Sequence, residues 1–149
     1  MTECHTGDEF TVDGVHFKIL SEINPEIGVN VYNNSSMAFR VWDDVKSVVF
    51  LGDLGIEGGD KLLDSPMREY LDCDYLQLAH HGQQGCSERF YRTVNFRACL
   101  WPTPSWLYNN DLGKGENTAH YTTFETRRWM EDKGVDEHYV ACYGLCCIE

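Results

Sequence analysis

The chain is expected to fold as an α/β domain in which β hairpins are followed by alternating strands and helices. Three observations predict this: hairpin signatures over residues 9–51, alternating helical and extended patterns after residue 53, and two apolar runs that each end in a polar string beside a glycine. The strings are Val48-Val49-Phe50-Leu51-Gly52-Asp53 and Tyr75-Leu76-Gln77-Leu78-Ala79-His80-His81-Gly82. If both runs are parallel strands, Asp53 and the two histidines emerge at the carboxyl ends of neighbours, where open α/β sheets gather their chemistry.

Residues 9–12 and 15–20, joined by Asp13-Gly14, read as a hairpin. Residues 36–42 alternate less cleanly and turn through Asp43-Asp44 into the run ending at Asp53, a second hairpin. Residues 47–51 are apolar almost throughout, so a strand covered on both faces is expected, with Gly52 permitting a sharp exit. Gly58-Gly59-Asp60 opens a short helix carrying Leu62 and Leu63, and Ser65-Pro66 caps a second helical turn with Met67, Tyr70 and Leu71. Residues 74–79 form the next strand. Ser87 caps a helix with Phe90, Tyr91 and Val94 inward, and residues 97–101 form a strand stopped by Pro102 and Pro104. Residues 105–118, with Asn109-Asn110, Gly113 and Gly115, read as a mobile loop of a length that is often functional. Thr122-Thr123-Phe124-Glu125 is a capping box for a helix through Trp129 and Met130 to Lys133, with Gly134 as its stop. Two short strands, residues 139–142 and 145–148, close the chain.

A length of 149 residues fits a single domain spanning 1–149, long enough to bury roughly two thirds of its unfolded surface. The 42% hydrophobic content marks a globular chain, and no apolar run approaches the ~20 residues of a membrane span, so no membrane contact is expected. The opening residues lack the basic start and apolar stretch of a secretory leader, which makes a cytoplasmic location the expectation. A formal charge of −12 argues against a nucleic-acid partner held by phosphate contacts alone. Metal ions can still recruit phosphates. The seven cysteines are an odd number without a secretory context, so reduced thiols are the default. Cys142, Cys146 and Cys147 match no paired C-x-x-C pattern, and packing as small buried hydrophobes is favoured over a soft-metal site.

Asp53 follows an apolar strand through a glycine; its carboxylate either reaches a cleft as a ligand for one or two cations or caps the next helix. Two imidazoles at a strand exit are costly to bury without partners. Side chains alternate along extended backbone, so one histidine is the better ligand and the other a substrate contact or proton carrier; we favour His81 as ligand and His80 as its neighbour. His120, between the glycine-rich loop and the capped helix, is either a lid residue over a cleft or an exposed loop histidine. His5, His16 and His138 read as surface or locally satisfied residues.

The strings Asn33-Asn34-Ser35-Ser36-Met37-Ala38-Phe39-Arg40, Val49-Phe50-Leu51-Gly52-Asp53 and Leu76-Gln77-Leu78-Ala79-His80-His81-Gly82, with Asn117-Thr118-Ala119-His120 further on, resemble in order and interval the metallo-β-lactamase fold of ComEC-type competence proteins. The resemblance implies an αββα sandwich hydrolase in which a two-metal centre, zinc first with manganese or iron as alternatives, holds a hydroxide that attacks a phosphoester or similar bond. By position it makes Asp53 the bridging carboxylate and His81, or His80, a terminal ligand, with His120, Asn34 and Ser35 lining the substrate side. The family's centre also needs an H-x-H-x-D-H string, and this sequence contains no H-x-H. The chain thus resembles the carboxyl-terminal half of the fold. It is expected to be part of a longer hydrolase, a binding remnant without catalysis, or a homodimer in which two chains replace the missing amino-terminal half. A small phosphoester and a nucleic acid both stay open as substrates.

Overall fold

Asp13 and Gly14 both take positive φ, 50° and 83°, the turn geometry that matches the twist of two short antiparallel strands. They join β1 (Glu9–Val12) to β2 (Val15–Ser21) in the register Val12 opposite Val15. The computed structural model describes residues 3–148. β3 (Ala38–Trp42) and β4 (Ser47–Phe50) form the second hairpin, whose turn is held by Asp43 Oδ1 accepting from the backbone of Val45 and Lys46, both at 2.8 Å. β5 (Cys73–Gln77), β6 (Phe96–Trp101) and β7 (Glu137–Val140) then add in parallel. The result is one seven-stranded sheet in sequence order, antiparallel from β1 to β4 and parallel from β4 to β7.

Among the described residues, five α-helices accompany it: α1 (Val31–Asn34), α2 (Ile56–Leu63), α3 (Glu88–Thr93), α4 (Ser105–Tyr108) and α5 (Thr123–Lys133). Ser65 accepts from Met67 N and Ser87 from Phe90 N, so both predicted serine caps form. The helices touch in the order α1, α2, α3, α5, α4, a single layer. Leu62, Phe90, Tyr91 and Met130 from that layer, with Leu54 just before α2, meet Val49, Leu76 and Cys99 of the sheet in one core. No helix of the described residues is long and apolar enough to cross a membrane.

Several expectations need correction. β4 is not covered on both faces: Ser47 and Val49 are buried while Val48 and Phe50 are half-exposed, because the helices cover only one side. The face left without helices carries Phe17, Phe39, Val41, Val48 and Phe50 in register, with Phe39 and Phe50 stacked at 4.9 Å. Residues 145–148 form no strand; Gly144 turns the chain at φ 116°, and Leu145 is 97% exposed. The predicted capping box fails as well. Thr122 holds the cap position of α5 without a side-chain cap bond, because its Oγ1 accepts from Gln84 N at 2.8 Å instead. Residues 105–118 are not loop throughout, since α4 opens them and Asp111 Oδ1 then gathers the backbone N–H groups of Gly113, Lys114 and Gly115. Cys146 and Cys147 are exposed rather than packed.

Candidate functional site

Parallel pairing brings the exits of β4, β5 and β6 to one end of the sheet, so Asp53, the histidine pair and Pro102 share an edge. Gln77, the polar residue inside the second apolar run, fastens the first two exits together. Its Oε1 accepts from Leu51 N at 2.9 Å and Gly52 N at 2.8 Å, and its Nε2 donates to Leu78 O at 2.6 Å. His80 N donates to Gly52 O at 2.9 Å, tying the two strings by main chain. Ser36 Oγ accepts from Asp53 N at 3.2 Å. Asp53 does not cap the following helix; Gly55 holds that position.

The histidines are not on extended backbone. Both take left-handed conformations, φ 50° for His80 and 58° for His81, followed by Gly82 at 80°. Residues other than glycine reach this region at a cost, and such strain gathers at functional sites. Strict alternation therefore does not separate the two side chains; the turn does. His81 points outward, half-exposed, with Nδ1 2.6 Å from Pro102 O. A carbonyl oxygen only accepts, so Nδ1 carries a proton, and in the neutral ring Nε2 is the nitrogen with the lone pair. That nitrogen stands 3.7 Å from Asp53 Oδ1, and Thr103 Oγ1 donates to His81 O at 2.7 Å. His80 turns the other way, its Nδ1 3.5 Å from Asn33 Nδ2 and its Nε2 3.1 Å from Gln83 Nε2.

The other expected site residues lie apart from this pair. Asn34 is fully buried, with Oδ1 accepting from Gly58 N and Nδ2 donating to Val29 O and Glu57 Oε2, so its amide joins α1 to α2. Ser35 Oγ accepts from Asn24 N at 3.4 Å. His120 is exposed, with its ring 4.3 Å from that of Tyr121, and it lines a separate hollow with Leu112 and Lys114. Each of the remaining histidines has a local partner: His5 meets Glu22, His16 meets Thr11, and His138 accepts from Trp101 Nε1 at 2.9 Å. Sequence reasoning passed over Gln77, Ser36, Asn33 and Pro102. Of these, only Gln77 left a signal, as an amide inside an apolar strand.

Asp53 and His81 offer two donors to a cation. The 3.7 Å gap between them accommodates an ion at metal–nitrogen and metal–oxygen lengths of about 2.0–2.2 Å. Two donors do not complete a site, since catalytic zinc takes about three protein ligands. Among the described residues, no group of three or more His, Cys, Asp and Glu side chains is placed to hold a metal ion.

No family model matches this chain. No curated protein matches it either. Among solved structures, a Thermotoga maritima protein described as a Zn-dependent hydrolase of the metallo-β-lactamase superfamily is similar at 19% identity and a TM-score of 0.42, over 62% of this chain. The chain spans 44% of the length of that protein.

Proposed function

We propose that the chain supplies one side of a divalent-cation centre for hydrolysis of a phosphoester or related bond, the remaining ligands coming from a further polypeptide layer. The observation that carries this reading is the fixed pair, His81 Nε2 facing Asp53 Oδ1 at 3.7 Å with Nδ1 committed to Pro102 O. Support also comes from the sequence strings that resemble the ComEC-type metallo-β-lactamase fold, two of which contain these two residues. The half-exposed apolar face of β2, β3 and β4 is a surface on which a second sheet packs, about 10 Å away. In this reading the added layer is an amino-terminal segment outside these 149 residues or a second copy of the chain. Zinc is the first candidate cation, with manganese and iron behind it.

A second reading is a non-catalytic binding domain derived from the same fold. It is favoured by the lack of a third ligand among the described residues. Titration of the purified chain with Zn²⁺ and Mn²⁺, followed by calorimetry and metal analysis after desalting, separates the two. The first reading expects one ion per site, weakly held by the chain alone, with binding abolished in Asp53→Ala and His81→Ala. Binding that survives both substitutions, or no measurable uptake at millimolar metal, would overturn it and leave the second.

A further inference from the structure

We propose that the hollow against α5 binds a small phosphorylated ligand that carries a flat ring, with Arg127 and Arg128 holding its phosphate. The hollow measures about 530 Å³ and is lined by Asn117, Tyr121, Phe124 and the two arginines. Arg127 is pre-positioned: its guanidinium lies 4.7 Å from the ring centre of Tyr108 and 4.6 Å from that of Phe124. Stacking fixes the plane of the fork without using its N–H groups. Its Nη1 is buried with no hydrogen-bond partner, and the carboxylate of Glu116 stands 4.0 Å away, beyond hydrogen-bond reach. A buried unpaired donor is rare in a folded protein.

The contrast with the other arginines is chemical. Arg40, Arg68, Arg89, Arg92 and Arg97 each donate to a carbonyl, carboxylate or hydroxyl. Arg128, exposed on α5, makes no hydrogen bond or ion pair among the described residues. In a chain of net charge −12, two adjacent guanidinium groups that make no hydrogen bond to a carboxylate, one 4.0 Å from Glu116 and the other without an ion pair among the described residues, mark a place kept for an outside anion. Glu125 and Glu131 also line the hollow and weaken its field for a bare anion. A ligand that adds ring contacts offsets that weakness. Tyr121, on the wall of the hollow, supplies them. Neither Asp53 nor His81 lines the hollow, so it is a site distinct from that pair.

The test uses AMP, inorganic phosphate and adenosine as probes, titrated into the whole chain in the presence of EDTA. AMP is expected to bind more tightly than phosphate, and adenosine not measurably. Arg128→Gln, at an exposed position that leaves the fold intact, should weaken AMP at least about tenfold. Arg127→Lys, which keeps the charge and loses the fork, should weaken it as well. Asp53→Ala and Arg89→Gln should bind AMP as the parent does, which separates this site from the proposed cation centre. Absence of AMP binding, equal binding of AMP and phosphate, or full binding by Arg128→Gln would overturn the proposal.

Discussion

Gly82 closes the turn that aims His81, and replacing it with alanine tests whether that turn is as rigid as the geometry implies. Its φ is +80°, a conformation that costs an L residue about 1–2 kcal/mol. A Cβ at this position would stand 2.5 Å from Trp101 Cε3 and closer still to Cζ3. Trp101 has little freedom to withdraw: it is 1% exposed, its Nε1 donates to His138 Nδ1 at 2.9 Å, and its ring meets Tyr108 edge-on at 5.4 Å. Overpacking of this kind adds about 1–3 kcal/mol. Gly82→Ala is therefore expected to lose about 2–5 kcal/mol, which for a chain of this size lowers the melting temperature by about 5–15 °C. Gly134→Ala supplies the reference, because Gly134 has nearly the same φ, +78°, and nothing within 4 Å of a new Cβ. It should lose only the left-handed cost. Urea denaturation of the two variants beside the parent measures both numbers. If Gly82→Ala loses no more than Gly134→Ala, the packing of the turn against Trp101 is not what fixes it, and the reasoning fails.

Gln77→Leu keeps the size of the side chain but removes the acceptor for Leu51 N and Gly52 N, so about 2–5 kcal/mol of stability should be lost. A change below about 1 kcal/mol in urea midpoint analysis would show that the two N–H groups find other partners. Asp74 gives a pH prediction. The Ser47 hydroxyl donating at 2.8 Å holds its carboxyl below the ordinary value, with the Ser47 backbone N–H assisting against partial burial. A depressed folded-state pKa contributes stability above the unfolded value, from about pH 4 upward, and loses it as pH falls through the folded pKa. Asp74→Asn should therefore narrow the gap to the parent below about pH 4, and acid profiles that run parallel would refute the assignment.

The alternation of patterns made the sheet legible in advance because the hairpins of the first half carried their own turn chemistry, Asp13-Gly14 and Asp43-Asp44, and later segments were punctuated by the serine caps Ser65 and Ser87 and the glycine stop Gly134. What escaped was whatever depended on contacts distant in sequence. Thr122 has the right identity for a cap, yet Gln84, 38 residues earlier, takes its hydroxyl. The left-handed backbone at His80 and His81 could not be read from residue types that ordinarily avoid it; it follows from Gly52 O holding His80 N and from Gly82 fitting against Trp101. Asn34 looked like part of a substrate-facing string, and its amide instead fastens α1 to α2 across 24 residues. The one-sided cover of β4 was hidden because Val48 and Phe50 are apolar on a face that no helix of the described residues covers.

The separation of Asp53 and His81 is imposed by the main chain rather than by attraction between them. Their side chains are 45% and 46% exposed, and a surface pair of this kind contributes about 0–1 kcal/mol. Gln77 fixes Gly52, His80 N binds Gly52 O, and Pro102 O fixes the His81 ring; none of these contacts uses the Asp53 carboxylate or His81 Nε2. The two donor groups are thus held in place while their own bonding capacity stays open. Removing either side chain should leave the fold nearly as stable as before, so a loss of cation uptake in those variants reports on ligation and not on unfolding. The strand exits organise the pair through backbone and amide contacts alone.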